Sequence, residues 1–196
     1  KARDAGGSVV TEPFAVMDAG RMAVISDPEG AVICVWEAKG HKGAQVVNDP
    51  GTLNFNNLNT RDPDGAKKFY GAVFGWETLD LGGGTEFWTV PAYGDHLETI
   101  HPGLRKQVKE VGGPEGFENV VASIVPLGDD QADTPAHWSV TFATDDPDRD
   151  AEKAKELGGK VIAEPMDAPW TRMTVLADPA GATFISSKYV EENKDL

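Results

Sequence analysis

The sequence predicts an α+β protein composed of paired βαβββ modules. Three observations predict this fold class: a block of residues that occurs twice, helices that begin at Asp-Pro pairs, and short apolar strands separated by turns rich in glycine and proline. The chain has 196 residues, and 40% of them are hydrophobic. It therefore has enough apolar side chains for one sizeable core or two smaller ones.

The repeated block lies near the two ends of the chain. Residues 5–33 and 157–184 both contain a Gly-Gly pair, then Glu-Pro, Arg-Met and Asp-Pro-x-Gly, in that order. The glycine pair is typical of a helix end, where a left-handed cap favours glycine, and Asp-Pro-x-Gly is typical of a turn. Each block therefore predicts a helix end, two strands, a turn and a last strand.

The C-terminal module is predicted in full. Ala151, Ala154 and Leu157 share one face of a charged helix, and Met173 alternates with polar neighbours in a strand that follows it. The predicted elements are a strand at His137–Ala143, a helix at Pro147–Leu157, and strands at Lys160–Ala163, Arg172–Ala177 and Ala182–Ser187.

The middle module has the same predicted order of elements. Asp62-Pro63-Asp64 caps its helix, and Gly82-Gly83-Gly84 is predicted to be a turn between two of its strands. The predicted elements are a strand at Leu53–Asn59, a helix from Asp62 to Phe74, and strands at Trp76–Leu81, Phe87–Pro91 and His96–Ile100. Two helical stretches are predicted after it, at Arg105–Val111 and Phe117–Val125.

The first copy of the block has no opening strand and only the end of its helix. We therefore expect residues 1–37 to be the C-terminal remainder of a preceding domain and residues 38–50 to be a linker. Residues 51–190 are predicted to form a complete domain, with modules at 51–103 and 135–190 and an insertion at 104–134. The chain is then expected to be a fragment of a longer protein with at least four modules.

Charge and cysteine content limit the partners. Lys and Arg total 18 against 32 Asp and Glu, which gives a formal net charge of −14 and predicts no binding to nucleic acid or to an anionic membrane. No apolar run is long enough to cross a bilayer. The single cysteine, Cys34, indicates a reducing, cytoplasmic location, and we expect its side chain to be buried.

Two segments resemble a known superfamily. Residues 62–76, with the aromatic pair Phe69-Tyr70 ahead of Phe74-Gly75-Trp76, resemble the first-helix signature of the vicinal oxygen chelate superfamily. Its members include glyoxalase I, the bleomycin and fosfomycin resistance proteins and the extradiol dioxygenases. Residues 145–159 resemble the second-module version, and the whole is similar to the tandem, two-domain glyoxalase-like group. The resemblance implies a glyoxalase-like fold, in which paired modules form curved mixed sheets around a cavity.

The resemblance also implies where a metal would bind. In the metal-dependent members, four ligands come from the first and last strands of the paired modules. Carried over by position, the four residues are Phe55, Glu98, Ser139 and Ile185. Only Glu98 is a good ligand for a divalent ion, so we expect no metal at the usual site and no cofactor.

A rearranged metal site is the alternative. His96 and Glu98 are two residues apart on a predicted strand, and His137 shares a strand face with Ser139, so His96, Glu98 and His137 could hold Zn, Ni, Fe or Mn. Glu98 is also the candidate catalytic residue. Burial against Phe55 and Ile185 would raise its pKa and suit a general base, and the alternative is a partly solvated carboxylate at the rim of the cavity.

The predicted function is binding of a small organic molecule in the cavity of the module pair. The predicted ligand-binding residues are Phe55, Asn57, Trp88, Ser139 and Ile185. Core packing is the competing role for the aromatic side chains, and Trp138 is expected to pack under the helices. The functional alternatives are a metal-dependent lyase, isomerase or dioxygenase, and a structural protein with a filled cavity. The possible macromolecular partners are a second copy of the chain, through self-association, and the missing N-terminal half.

Overall fold

The computed structural model describes residues 1–81, 86–110, 112–194 and 196. Its helices are α1 (Pro63–Phe74), α2 (Tyr93–Ile100), α3 (Leu104–Glu110) and α4 (Pro147–Glu156), with 3-10 turns at Phe117–Asn119, Asp129–Gln131 and Glu191–Asn193. Its strands are β1 (Ser8–Val16), β2 (Gly20–Ser26), β3 (Val32–Ala38), β4 (Leu53–Thr60), β5 (Glu77–Asp80), β6 (Glu86–Thr89), β7 (Val120–Pro126), β8 (His137–Ala143), β9 (Lys160–Ala168), β10 (Thr171–Ala177) and β11 (Thr183–Tyr189). The predicted α+β class is confirmed.

The chain divides into two compact units. Unit 1 comprises residues 1–42 and 57–138, and unit 2 comprises residues 43–56 and 139–196. In unit 1, an antiparallel sheet has the order β1-β2-β3, and four further strands have the order β5-β6-β7-β4. In unit 2, four strands have the order β9-β10-β11-β8. In both sets of four, the last strand lies between the third and the first, and pairs with the first in parallel.

The two long helices begin at the predicted aspartates. The Asp62 carboxylate accepts a hydrogen bond from the Gly65 N–H, and the Asp146 carboxylate accepts one from the Arg149 N–H. A proline follows each aspartate at the first helical position, where its missing N–H costs nothing. Helix α1 ends at Gly75 in a left-handed conformation with φ of 73°. Both predicted helices are therefore confirmed.

The Asp-Pro-x-Gly turns also form as predicted. One carboxylate oxygen of Asp27 accepts hydrogen bonds from the N–H groups of Glu29 and Ala31. Asp178 makes the same pair of bonds with Ala180 and Ala182. The fourth residue of each turn is a glycine with φ of 94°, a conformation that a side chain would strain.

A buried hydrogen-bonded chain stabilises the core of unit 1. The Tyr70 hydroxyl donates to the second carboxylate oxygen of Asp27 at 3.2 Å and accepts from the Trp138 indole N–H at 2.8 Å. Desolvation is the main cause that raises the pKa of both Asp27 and Tyr70. Trp138 thus packs against the α1 side chain Tyr70, as its expected place under the helices requires. These hydrogen bonds also hold the turn between β2 and β3 against α1.

The last strand of the middle module is not where the sequence placed it. Residues His96–Ile100 belong to α2, so the predicted strand there is wrong. The strand that completes the module is β7, within the segment 104–134 that was predicted to be an insertion. Gly94, taken as the turn before a strand, is buried inside α2, where a Cβ atom would lie 2.3 Å from Glu118.

Other predicted features of this segment have mixed outcomes. A helix is found at Leu104–Glu110, close to the predicted range, of which Val111 lies outside the described residues. The predicted helix at Phe117–Val125 is wrong, because only a 3-10 turn forms before β7 and the β-branched residues that follow extend as a strand. The predicted turn Gly82-Gly83-Gly84 lies outside the described residues. Cys34 is exposed rather than buried.

No described helix is both long enough and apolar enough to cross a bilayer. The predicted division into a remainder, a linker and a complete domain stays a prediction.

Candidate functional site

The four-stranded set of unit 1 has one face against α1 and one face away from it. Leu58, Trp88, Ala122 and Ile124 pack with the α1 side chains Phe69 and Tyr70 in one core cluster. Strand residues alternate between faces, so their neighbours point to the opposite side, here called the far face of unit 1. A row of four cross-strand partners occupies it: Leu79, Phe87, Ser123 and Asn57.

The row changes from apolar to polar along its length. The Ser123 hydroxyl donates a hydrogen bond of 2.7 Å to the Asn57 side-chain oxygen. At the other end, the Phe87 ring contacts the Phe117 ring edge to face, with the ring centroids 5.7 Å apart. The Leu79 side chain lies near Gly116, within 4.0 Å of the place a Cβ atom would take there. The turn at residues 116–119 therefore covers the apolar end of the row.

Unit 2 has the same arrangement with different side chains. The Ser186 hydroxyl bonds to Asp150 of α4, so Ser186 marks the face towards that helix. The opposite side is the far face of unit 2. Its row of cross-strand partners is Thr141, Ile185, Val175 and Ala163. This row is almost entirely aliphatic.

The predicted ligand-binding residues do not all lie on exposed surfaces. Asn57 lies on the far face of unit 1, and Phe55 lies in β4 two residues before it. Ile185 lies on the far face of unit 2, and Ser139 lies in β8. Trp88, in contrast, is 0% exposed. Its place in the ligand-binding set is corrected because the ring packs in the α1 core, 5.2 Å from Tyr70 between centroids. Ligand binding by the other four stays a prediction.

Glu98 is a helix-capping residue in this structure. Its carboxylate accepts hydrogen bonds from the N–H of Gly103 at 2.6 Å and of Arg105 at 3.1 Å, at the start of α3. These backbone bonds lower its pKa, which is opposite to the expected rise. The rise in pKa that suggested a general base is therefore wrong, because backbone hydrogen bonds to the carboxylate outweigh the effect of desolvation. A catalytic role for Glu98 stays a prediction.

The alternative metal site is not assembled either. Two residues apart on a helix means about 200° of rotation, so His96 and Glu98 do not share a face. His137 Nδ1 lies 2.8 Å from the Pro135 carbonyl oxygen. Within residues 1–81, 86–110, 112–194 and 196, no cluster of three or more His, Cys, Asp or Glu could hold a metal ion. The prediction of a site at His96, Glu98 and His137 is therefore corrected.

The register of β7 shows that Ser123, rather than Glu98, takes the last-strand place of the middle module among the four metal-ligand positions. Ser123 pairs with Asn57 as Ile185 pairs with Thr141. Asn57 and Thr141 each lie five residues before the aspartate that caps the following helix. Ser123 is thus the counterpart of Ile185.

The corrected set has no side chain typical of a divalent metal site. It consists of Phe55, Ser123, Ser139 and Ile185. Phenylalanine and isoleucine have no donor atom, and two neutral hydroxyls do not replace the carboxylates and imidazoles that these ions prefer, so the residues do not fit a metal. The position of Ser123 was missed because a long helical segment separates β6 from β7. The β-branched run at residues 120–125 was the available signal.

Comparisons with known proteins agree with this fold. A model of the Glyoxalase/Bleomycin resistance protein/Dioxygenase superfamily matches residues 52–185. The chain is 40% identical over 182 residues to "Putative glyoxylase CFP32" of Mycobacterium bovis, covering 91% of this chain and 60% of that protein. It is 36% identical over 180 residues to "Anthracycline biosynthesis protein DauV" of Streptomyces sp. (strain C5), covering 92% and 57%. The chain thus spans less than two thirds of these curated relatives.

Two solved structures have a similar fold. The Mn(II)-bound glyoxalase from Novosphingobium aromaticivorans matches with a TM-score of 0.53 and 19% identity, over 95% of this chain and 56% of that chain. The 2,3-dioxygenase LapB from Pseudomonas sp. KL28 matches with a TM-score of 0.53 and 13% identity, over 95% and 64%. At these identities the likeness concerns the fold alone, and it confirms the glyoxalase-like class.

Proposed function

The chain belongs to the Glyoxalase/Bleomycin resistance protein/Dioxygenase superfamily, and on that premise we propose that it binds a small organic molecule without a metal at the usual four positions. This proposal rests on the side chains that occupy the four corrected metal-ligand positions. Phe55, Ser123, Ser139 and Ile185 supply neither a carboxylate nor an imidazole. A protein with this set depends on shape, apolar contact and hydrogen bonds to hold its ligand.

The far faces of the two units support an organic ligand. Each presents a row of strand residues with apolar side chains and one or two polar groups, such as Ser123 and Asn57 in unit 1. Binding sites for small molecules commonly combine apolar lining with a few placed polar groups. The names of the relatives, a glyoxylase and an anthracycline biosynthesis protein, support an oxygen-rich organic molecule as the ligand class.

Location and partners form part of the same proposal. A net charge of −14 disfavours nucleic acid and anionic lipid, so we propose a small molecule as the partner. The single cysteine supports a cytoplasmic location. Activity of the whole protein is also a proposal, because the relatives extend well beyond the matched region.

A thermal-shift screen tests this function. A library of small organic acids, phenols, quinones and aldehydes is added to the protein, with and without a chelator. A ligand at about one hundred times its Kd stabilises the folded state by about 2.7 kcal/mol, which raises Tm by several degrees. We expect at least one compound to do so equally well with the chelator present.

Two variants of β11 make the screen specific. Ile185→Ala removes apolar area from the far face of unit 2, and Lys188→Ala removes an exposed side chain of the same strand as a matched control. We expect the first to reduce the ligand-induced shift and the second to leave it unchanged. Shifts that occur only with added metal would contradict the proposal and favour a metal-dependent enzyme.

A further inference from the structure

A carboxylate binds at the start of α1 in unit 1. It belongs to Glu29, in the turn between β2 and β3, whose Oε2 accepts a hydrogen bond from the Thr60 hydroxyl. The same oxygen accepts the N–H groups of Arg61 and Asp62, each at 3.1 Å. Free N–H groups and the positive end of the helix dipole favour an anion at this place. Unit 1 therefore supplies the anion from its own chain.

Unit 2 has the same donor groups at the start of α4. Thr144 lies two residues before Asp146, the aspartate that caps α4, and Thr60 has the same place before α1. In each case the threonine Oγ accepts the N–H of the capping aspartate at 3.2 Å. Asp145, between the two residues, supplies the other N–H. The groups that hold the Glu29 carboxylate in unit 1 thus recur in unit 2.

In unit 2 these groups line a cavity of about 300 Å³. The lining residues are Pro50, Thr144, Asp145, Asp146, Arg149, Asp150 and Lys153. Asp150 accepts the Ser186 hydroxyl, which points towards α4, so the cavity lies on the side of the sheet opposite to the far face of unit 2. Thr144 is partly exposed, whereas Thr60 is 0% exposed in unit 1. A dissolved molecule can therefore reach this site.

The helix face beside the cavity is cationic. Arg149 and Lys153 lie one turn apart on α4, and both are exposed. The corresponding positions of α1 are Gly65 and Phe69, and Phe69 is buried in the core of unit 1. The α1 face thus packs within its own unit, whereas the α4 face presents two positive charges to the cavity. These charges favour an anionic ligand.

Two aspartates of the cavity wall are already hydrogen bonded. The Asp146 carboxylate accepts the Arg149 N–H, and the Asp150 carboxylate accepts the Ser186 hydroxyl. A capping aspartate does not prevent anion binding beside it, because the Glu29 carboxylate in unit 1 accepts the N–H of the residue that caps α1.

We infer that the cavity at the start of α4 is a carboxylate-binding site. The carboxylate accepts hydrogen bonds from the Thr144 hydroxyl and from the N–H groups of Asp145 and Asp146, and Arg149 and Lys153 balance its charge. A small organic acid and a glutamate side chain of a protein present the same chemistry to the site. The inference goes beyond the proposed function, which concerns the far faces.

Titration with propionate, followed by amide NMR at constant ionic strength, tests the site. Propionate carries the carboxylate of a glutamate side chain, and propionamide has nearly the same shape without the charge. We expect propionate to shift the N–H resonances of Asp145 and Asp146 with a millimolar Kd, and propionamide and chloride to leave them in place. The N–H resonances of Arg61 and Asp62 should not shift, because Glu29 occupies them.

Unit 1 provides a control in which a site is created. Glu29→Ala removes the internal carboxylate and leaves its three donor residues, Thr60, Arg61 and Asp62. We expect propionate to shift the N–H resonances of Arg61 and Asp62 in this variant and not in wild type. Tm reports whether unit 1 stays folded. A response in unit 1 of the variant without a response at α4 would overturn the inference.

Substitutions in the cavity wall test the individual contacts. Thr144→Val removes one hydrogen bond to a charged group and should weaken propionate binding by about tenfold. Arg149→Gln removes an exposed cation and should weaken it by about two- to threefold. The matched control is Lys160→Gln, which removes an exposed cation of β9 outside the cavity and should leave Kd unchanged.

A blocked tetrapeptide distinguishes the two sources of the carboxylate. Asp-Pro-Glu-Gly has the sequence of residues 27–30, and Asp-Pro-Gln-Gly is its control. Binding of the first peptide about tenfold more tightly than propionate, with loss in the control, would identify a protein glutamate as the ligand. Binding no tighter than that of propionate would identify a small organic acid.

The outcomes separate this inference from the proposed function. The inference is overturned if propionate causes no shift at α4, if propionamide or chloride causes an equal shift, or if Thr144→Val and Arg149→Gln both behave like Lys160→Gln. Ile185→Ala, which tests the far face of unit 2, should leave propionate binding unchanged. Either claim can therefore fail while the other stands.

Discussion

The two units have the same strand order, but the side chains on their far faces differ. In unit 2 the last strand follows β10 directly through the turn that begins at Asp178, and its far-face row is aliphatic apart from Thr141. In unit 1, β6 ends at Thr89 and β7 begins at Val120, with α2 and α3 between them. Its row contains one aromatic contact, between Phe87 and Phe117, and a hydrogen-bonded Ser-Asn pair. The parallel pairing of first and last strands is thus preserved while the connection varies.

This difference locates the adaptable part of the molecule. A connection of five residues leaves little room for new side chains on the far face, whereas a connection of two helices brings Phe117 and Gly116 there. Loops positioned by a rigid scaffold are where binding residues concentrate. We therefore expect changes in the β6–β7 connection to alter ligand preference and changes in the β10–β11 turn to alter stability.

The largest expected effect is on the core beneath α1. Trp88→Ala removes a fully buried side chain and should lower the free energy of unfolding by about 3–5 kcal/mol. Urea unfolding followed by circular dichroism measures it. Leu157→Ala, at a side chain 67% exposed in unit 2, is the control and should change it by less than about 0.5 kcal/mol. A loss at Trp88 as small as the control's would show that this ring is not part of the core.

The helix caps compare the two units directly. Asp62→Ala in unit 1 and Asp146→Ala in unit 2 each remove the acceptor of one N-terminal N–H. Each should lower the free energy of unfolding by about 1 kcal/mol. Thermal unfolding of both variants beside wild type tests this equality. A cost in one unit alone would mean that the shared Asp-Pro start does not have the same structural role in both.

A pH effect is expected in unit 1 from Asp27. Burial raises its pKa above the unfolded value of 3.8, so the folded state holds its proton to higher pH than the unfolded state does. Stability from this group is therefore present below pH 3.8 and is lost as pH rises through the folded pKa. Asp27→Asn should remove that decline. Urea midpoints measured from pH 3 to 7 test it, and an unchanged pH profile in the variant would contradict the assignment.

The sequence was sufficient wherever a local pattern has one structural solution. Asp62 and Asp146 each predict a helix start because the carboxylate, the proline and the free N–H groups fit together in one way, and Asp27 and Asp178 each predict a turn for a similar reason. These elements and the α+β class followed from the residues alone.

The residues of the candidate site could not be predicted in the same way, because they depend on which residues of neighbouring strands pair with each other. Glu98 was placed on a strand by counting from Gly94, and residues 93–100 form a helix instead. No local pattern shows that the chain passes through two helices before it returns as β7 beside β4. Ser123 and Phe117 became candidate residues only when that parallel pairing was known.

The central claim is that the four inherited positions, Phe55, Ser123, Ser139 and Ile185, do not hold a metal. The most direct test is inductively coupled plasma mass spectrometry of the purified protein, after incubation with excess manganese, nickel, zinc or iron and removal of unbound ions. We expect no stoichiometric metal in any of the four samples. About one equivalent of a single metal, retained through desalting and lost in Ser123→Ala and Ser139→Ala, would contradict the claim and identify a metal-dependent protein.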